Sequence, residues 1–328
     1  MEKAKTLLYY SILSFQPDNI KMLKCHFNVV TLPDPSYDSK EILKKVEVAF
    51  APLGHYFGSE KIDSCPKLKI IASNTTGVPH IDVPYAEAKG IRVISLQNQK
   101  EFLRDITPTA ELTLGLIIAV IRKIPWAFDS VLKGKWNRRP FGGPAMLSRL
   151  TLGVVGLGRL GRLVAVYCNA LGMKINYHDL GPDATAMKEW RYYADLGNLI
   201  ENSDIVTIHL PLTKETEGLF NADMFNKFRR GSCLVNTSRG EILDSRALLT
   251  GLKKRKPAFA ALDVLDGEFT PGFNDKVKDH PLVQYAKTHD NLLLTPHIGG
   301  STIDAWRETE RYTIRLILEN LKENIKNE

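Results

Sequence analysis

The chain has 328 residues, 44% apolar and 25% charged, with a net charge of +7 and an isoelectric point near 9.1. That length supports two domains with sizeable cores, and the composition is ordinary for a globular protein. The basic excess does not point to nucleic acid: the cations are scattered, and the densest run, Lys253-Lys254-Arg255-Lys256, closes a predicted helix, where it complements the helix dipole.

The N-terminal apolar run, Leu7 to Phe15, lacks a small-residue cleavage pattern and is followed by Gln16-Pro17-Asp18, so it reads as holding a first β-strand, at Thr6–Ser11. Further strands are predicted at Asn28–Leu32, Val46–Ala51, Lys69–Ser73 and Arg92–Ser95, separated by polar helical stretches. This alternation predicts a parallel sheet with helices on its faces. Asn74-Thr75-Thr76-Gly77 follows a strand end directly and reads either as a plain turn or as a backbone cradle for an anionic group. Thr107 and Pro108 open a helix that is apolar nearly all round from Thr109 to Ile124, stops at Pro125 and must be buried on most sides. Its apolar core, Leu112 to Ile121, is too short to span a bilayer. Lys133 to Pro144 reads as a loop.

Residues 151–161 organise the rest of the chain. Leu152, Val154 and Val155 read as a buried strand, and Gly156, Gly158 and Gly161 come next with G-x-G-x-x-G spacing, ahead of a helix. The first glycine allows the tight bend, the second the approach of a pyrophosphate, and the third close helix–strand packing. The helix start offers N–H groups and a positive dipole end. A second strand, Met173 to His178, ends in Asp179, eighteen residues past Gly161, where an acid can take ribose hydroxyls. An acid there favours NAD over NADP. Five more strands are predicted at Arg191–Tyr193, Ile205–His209, Ser232–Asn236, Ala258–Asp263 and Asn291–Thr295. Between them lie helices at Asp195–Asn202 and Ser245–Lys253. After Gly300, Ser301 and Asp304 have capping-box spacing. They open a long helix whose predicted buried face is Ile303, Trp306, Thr313, Ile317 and Leu321.

Three predicted strand ends carry polar groups: Asn236 to Gly240, Asp263 to Glu268 and Thr295 to Gly300. Strand ends of a parallel sheet converge on the ligand crevice, so Arg239, Glu268 and His297 can meet there. The set suits carbonyl reduction. A histidine can deliver the proton, a carboxylate can orient the ring and favour its charged form, and an arginine can grip a carboxylate while polarising the adjacent carbonyl. Taken singly, each has an ordinary explanation as a surface ion pair, a loop acid or a turn histidine.

The chain resembles the D-isomer-specific 2-hydroxyacid dehydrogenases. The likeness covers most of the chain and is strongest from Thr109 to Gly300. It rests on Gly134-Lys135-Trp136, the glycine turn, His209-Leu210-Pro211-Leu212, Val235 to Gly240, Leu262-Asp263-Val264 and Thr295 to Gly300. The resemblance implies two Rossmann-like domains. Residues 1–103 with 298–328 would form a flavodoxin-like substrate domain, and residues 104–297 a doubly wound NAD-binding domain. It also implies site roles. Arg239 orients the substrate, Glu268 partners the histidine, and His297 protonates the keto oxygen. Arg159 and Leu160 hold the pyrophosphate, and Asp179 the ribose. Leu210, Pro211, Thr237, Ser238, Asp263, Gly299 and Gly300 line the cofactor. Thr76 and Gly77 bind the substrate carboxylate with their amides. The implied reaction interconverts a 2-oxo acid and a D-2-hydroxy acid, without metal, nucleic acid or membrane, in a homodimer built on the long apolar helix.

Three departures from the family pattern stand out. Phe269 follows Glu268 where proline is usual, the stretch from Phe269 to Asp290 is long, and Asn98–Thr107 carries Lys100, Arg104 and Asp105 where small residues are common. Arg104 is thereby a candidate partner for a second anionic group on the substrate, against the ordinary reading that it pairs with Asp105 or Glu101 on the surface or faces solvent. No regulatory module follows Gly300, which disfavours a phosphoglycerate dehydrogenase. A cofactor-sensing corepressor on the same fold is the alternative from another class, disfavoured by the lack of long disordered tails. The cysteines, Cys25, Cys65, Cys168 and Cys233, are far apart and form no C-x-x-C pair, which suits a reduced, cytoplasmic protein.

Overall fold

A computed structural model describes residues 4–270 and 272–327; the ends of the expected domains (residues 1–3 and 328) and residue 271 lie outside it. The chain divides into two compact units. One runs to Ile106 and includes Phe269, Thr270 and the chain after Gly300; the other is Thr107–Glu268 with Gly272–Gly300.

The first unit is built on five parallel strands, β1 (Thr6–Tyr10), β2 (Asn28–Leu32), β3 (Val48–Phe50), β4 (Ile70–Ala72) and β5 (Arg92–Ile94), in the order β2-β1-β3-β4-β5. This is the flavodoxin-like order. The central strands are buried on both faces: β3 and β4 are Val-Ala-Phe and Ile-Ile-Ala, with no exposed position. One face packs on Ile314, Ile317 and Leu321 of the C-terminal helix Ile303–Asn327, which brings the two ends of the chain into one core.

That helix differs from expectation at its start. Its cap is Thr302, whose Oγ1 accepts the Ala305 N–H at 3.3 Å. Ile303 and Trp306 are exposed, and the buried stripe runs through Ala305, Thr309, Thr313 and Ile317, with Ile314 and Leu321 beside it. Thr313, Ile317 and Leu321 are buried as expected, and only the first-turn positions Ile303 and Trp306 fall outside the stripe.

The second unit is a seven-stranded parallel sheet: β6 (Thr151–Val155), β7 (Lys174–His178), β8 (Arg191–Tyr192), β9 (Ile205–Ile208), β10 (Cys233–Asn236), β11 (Phe259–Leu262) and β12 (Leu292–Leu294). Its order, β12-β11-β10-β9-β6-β7-β8, reverses direction between β6 and β9. Such a doubly wound sheet binds ligands at that reversal, outside the carboxyl ends of the strands. The apolar stretch expected as one helix to Ile124 is two helices, Pro108–Ile121 and Ile124–Leu132. Lys123 between them is left-handed, with φ 53°, and Pro125 sits in the first turn of the second helix, where no N–H is needed. The first helix is fully buried through Pro108, Ala110, Thr113, Leu116, Ile117 and Val120, half-buried at most other positions and exposed at Glu111 and Gly115.

Candidate active site

The register of the second sheet explains why scattered motifs converge. His178, Val155, Ile208, Asn236, Leu262 and Leu294 pair in one continuous row across six strands. Asp179, Gly156, His209, Thr237, Asp263 and Thr295 are each the next residue, so every site segment leaves the sheet at one edge and one level.

At the reversal, Gly156 takes φ 90°, and a side chain on it would meet the His209 carbonyl at 2.9 Å. A Cβ on Gly161 would lie 2.0 Å from the Gly156 oxygen. A Cβ on Gly158 would meet nothing within 4 Å, so the space above it is open. The helix Arg159–Ala170 starts there without a side-chain cap, leaving its dipole end to an anion. Asp179 folds back on this turn: its Oδ2 accepts the Leu157 N–H at 2.7 Å and its Oδ1 the Leu180 N–H at 2.8 Å. Each oxygen keeps a lone pair for a hydroxyl donor. Nearby side chains are engaged elsewhere. Arg162 pairs with Asp183, and the His178 ring donates Nδ1–H to the Tyr193 carbonyl at 2.9 Å. Open glycine, uncapped helix and an acid folded against the turn fit a dinucleotide.

Leu210 and Pro211 follow β9, beside His209. Burial holds the His209 imidazole down to about 4, so it is neutral at pH 7, with Nε2 3.0 Å from the Thr207 hydroxyl. Thr237 is buried with its Oγ1 2.8 Å from that of Thr113, which in turn donates to the Thr109 carbonyl. Asn236, a residue that sequence reasoning does not place in the site, shapes the turn bearing Arg239. Its Oδ1 accepts the Ser238 N–H and hydroxyl, and its Nδ2 donates to the Arg239 carbonyl at 2.8 Å. Arg239 donates from Nη1 to the Ser238 carbonyl at 2.6 Å.

Glu268 and His297 meet. His297 Nδ1 lies 2.9 Å from Glu268 Oε1, with the glutamate side chain 11% exposed and the histidine 35%. His297 is left-handed, φ 52°, a conformation costly for a residue with a Cβ. Its N–H donates to the Asp263 carbonyl at 2.8 Å. The buried Asp263 carboxylate pins the rest of the loop, accepting from the Thr295 hydroxyl and from the N–H groups of Ile298 and Gly299 at 2.6–2.9 Å. Gly299 has no room for a side chain, since a Cβ would lie 3.0 Å from that carboxylate. Asp263 thus positions the histidine loop, a task its motif alone does not reveal.

Residues 114–299 match the family model described as the NAD-binding domain of D-isomer-specific 2-hydroxyacid dehydrogenases. The chain belongs to that family. It is 34% identical to a glyoxylate reductase of Thermofilum pendens, over 97% of this chain and 92% of that protein. A D-3-phosphoglycerate dehydrogenase of Methanocaldococcus jannaschii is 32% identical over 88% of this chain, which spans 51% of that longer protein. The crystal structure of a D-lactate dehydrogenase from Aquifex aeolicus, complexed with NAD and lactic acid, superposes with a TM-score of 0.82 at 26% identity, covering 98% of this chain and 97% of that one. The protein is therefore a 2-hydroxyacid dehydrogenase acting on small 2-oxo and 2-hydroxy acids, and the glycine turn, Asp179 and the Glu268–His297 pair all lie in its NAD-binding unit.

In the first unit, Thr76 and Gly77 stand on the loop after β4. Thr75 Oγ1 donates to the Gly77 carbonyl at 2.7 Å, and the buried His80 holds the loop through Nε2, 3.1 Å from the Ala51 carbonyl. Arg104 is three-quarters exposed and sits 3.4 Å from Asp105. Such surface pairs contribute about 1 kcal/mol or less. Among the described residues no cluster of His, Cys, Asp and Glu could hold a metal, and no helix is long and apolar enough to cross a membrane.

Proposed function

We propose that this enzyme reduces a 2-oxo acid to the D-2-hydroxy acid with NADH, using His297 as proton donor and Arg239 to hold the substrate carboxylate. The observation that carries the reading is the 2.9 Å approach of Glu268 to His297 on neighbouring loops of the NAD-binding unit. The dinucleotide, when bound, supplies the hydride to the keto carbon. His297 gives its proton to the keto oxygen as the alkoxide forms, and Glu268 keeps the ring oriented and stabilises its charged form. Arg239 grips the carboxylate in bidentate fashion and polarises the carbonyl. The amides of Thr76 and Gly77 are assigned to the same carboxylate. Arg159, Leu160 and the glycines take the pyrophosphate, and Leu210, Pro211, Thr237, Ser238, Asp263 and Gly300 take the rest of the dinucleotide.

Asp179 supports a preference for NADH, because it repels a 2′-phosphate and the nearby Arg162 is paired with Asp183. A homodimer is supported by the helix Ile124–Leu132, which exposes Ile124, Phe128, Val131 and Leu132 along one side, and by Trp136, 91% exposed; sedimentation velocity reads this directly. The free cysteines suit the reducing cytoplasm, which cell fractionation checks.

The experiment is a panel of 2-oxo acids with NADH and NADPH, with chiral analysis of the product. The reading expects D-hydroxy acids and higher kcat/KM with NADH; an L product or equal use of the two cofactors contradicts it. Arg104→Ala on the same panel tests the second-anion role. A loss of about ten- to a hundredfold confined to doubly anionic acids supports that role, as for one charge-assisted bond.

A further inference from the structure

Glu268 ends a short run that leaves β11 at Asp263. Phe269 follows Glu268, so no proline ring restrains the run there. The described structure supplies another restraint. Gly267 N–H donates to Glu241 Oε1 at 3.1 Å. Asp266 is held from two sides: its Oδ1 accepts the Ser245 hydroxyl at 2.5 Å and lies 3.1 Å from His280 Nε2. His280 belongs to the long stretch after Glu268, and its side chain is 9% exposed. Its Nδ1 accepts the Leu282 N–H at 3.3 Å and caps the helix Pro281–Ala286. That bond places the lone pair on Nδ1, so the proton is on Nε2 and points at Asp266. The His280 bond, with Ser245 adding to it, holds the Asp266 carboxyl below the usual carboxylate range.

We propose that Asp266 and His280 are positioning residues for the catalytic carboxylate: the lengthened stretch places His280 so that it clamps Asp266, two residues before Glu268, and thereby aims Glu268 at His297. The proposal rests on the assignment of Glu268 as partner of His297.

Two substitutions separate the clamp from the helix cap. His280→Asn keeps an acceptor for the Leu282 N–H but is too short to reach Asp266. His280→Gln extends an amide donor toward Asp266 and gives up the cap. In the full-length enzyme, His280→Asn should lower kcat by about ten- to a hundredfold, the scale of a small misplacement at a reacting centre. The KM for NADH should be unchanged, and His280→Gln should recover most of kcat. Placed in a Glu268→Ala background, His280→Asn should cause no further loss, because nothing is left to aim. Wild-type kcat in His280→Asn overturns the proposal, as does an equal loss in both backgrounds, which marks a purely structural role. If Glu268→Ala alone keeps wild-type kcat, the catalytic assignment fails and the clamp falls with it.

Discussion

His297 shows how much of the site is decided one residue at a time. The motif Thr295-Pro296-His297 points to the histidine, but nothing in the letters gives it a left-handed backbone. That comes from Asp263, which takes the loop's N–H groups through its carboxylate and carbonyl. Gly240 is a second case. A Cβ there would fall 2.1 Å from the Leu265 carbonyl carbon, inside the loop that leads to Glu268. Since the clash is with backbone, the loop must move. Gly240→Ala should therefore lower kcat by on the order of a hundredfold while the dissociation constant for NADH stays close to wild type. Steady-state kinetics with fluorescence titration of NADH reads both, and unchanged kcat would show that the loop yields without cost. Asp266, Ser245 and His280 were not legible, because they form no motif and come together only through the chain between them.

At the scale of elements, the sequence located all twelve described strands, because buried parallel strands appear as short apolar runs between turn residues. It missed where helices begin and break. Ser301 and Thr302 are both good caps, and the structure uses Thr302. One feature of that helix was hidden in its polar letters. Glu310 is buried, and its Oε2 accepts the Gln16 N–H at 2.8 Å and the Asn19 Nδ2 donor at 2.7 Å, tying the helix to the start of the helix Pro17–His26. Burial raises its carboxyl above the usual value of 4.5 despite those bonds. The folded state thus binds this proton more tightly than the unfolded chain does. Its contribution to stability is most favourable below the unfolded value and is lost as pH rises through the folded one. Glu310→Gln keeps an acceptor oxygen and removes the charge. Thermal unfolding at pH 4 and pH 7 should show the variant gaining on wild type at the higher pH, and a relative loss there would contradict the assignment.

At the scale of the whole molecule, each unit is a parallel sheet with the candidate site loops at its carboxyl edge; the parallel α/β class followed from the βα alternation and the family resemblance, while the strand orders came from the structure. The proposed catalytic groups sit in the second unit, where six adjacent strands end in one row. The proposed function turns on proton delivery by His297 beside Glu268. The most direct measurement is the rate of a single turnover with saturating NADH and a 2-oxo acid, for wild type, His297→Ala and Glu268→Gln. General acid–base groups contribute about a hundred- to ten-thousandfold. His297→Ala should lose on that scale, Glu268→Gln should lose less, and NADH affinity should be held in both. A His297→Ala enzyme that turns over at the wild-type rate would contradict the account.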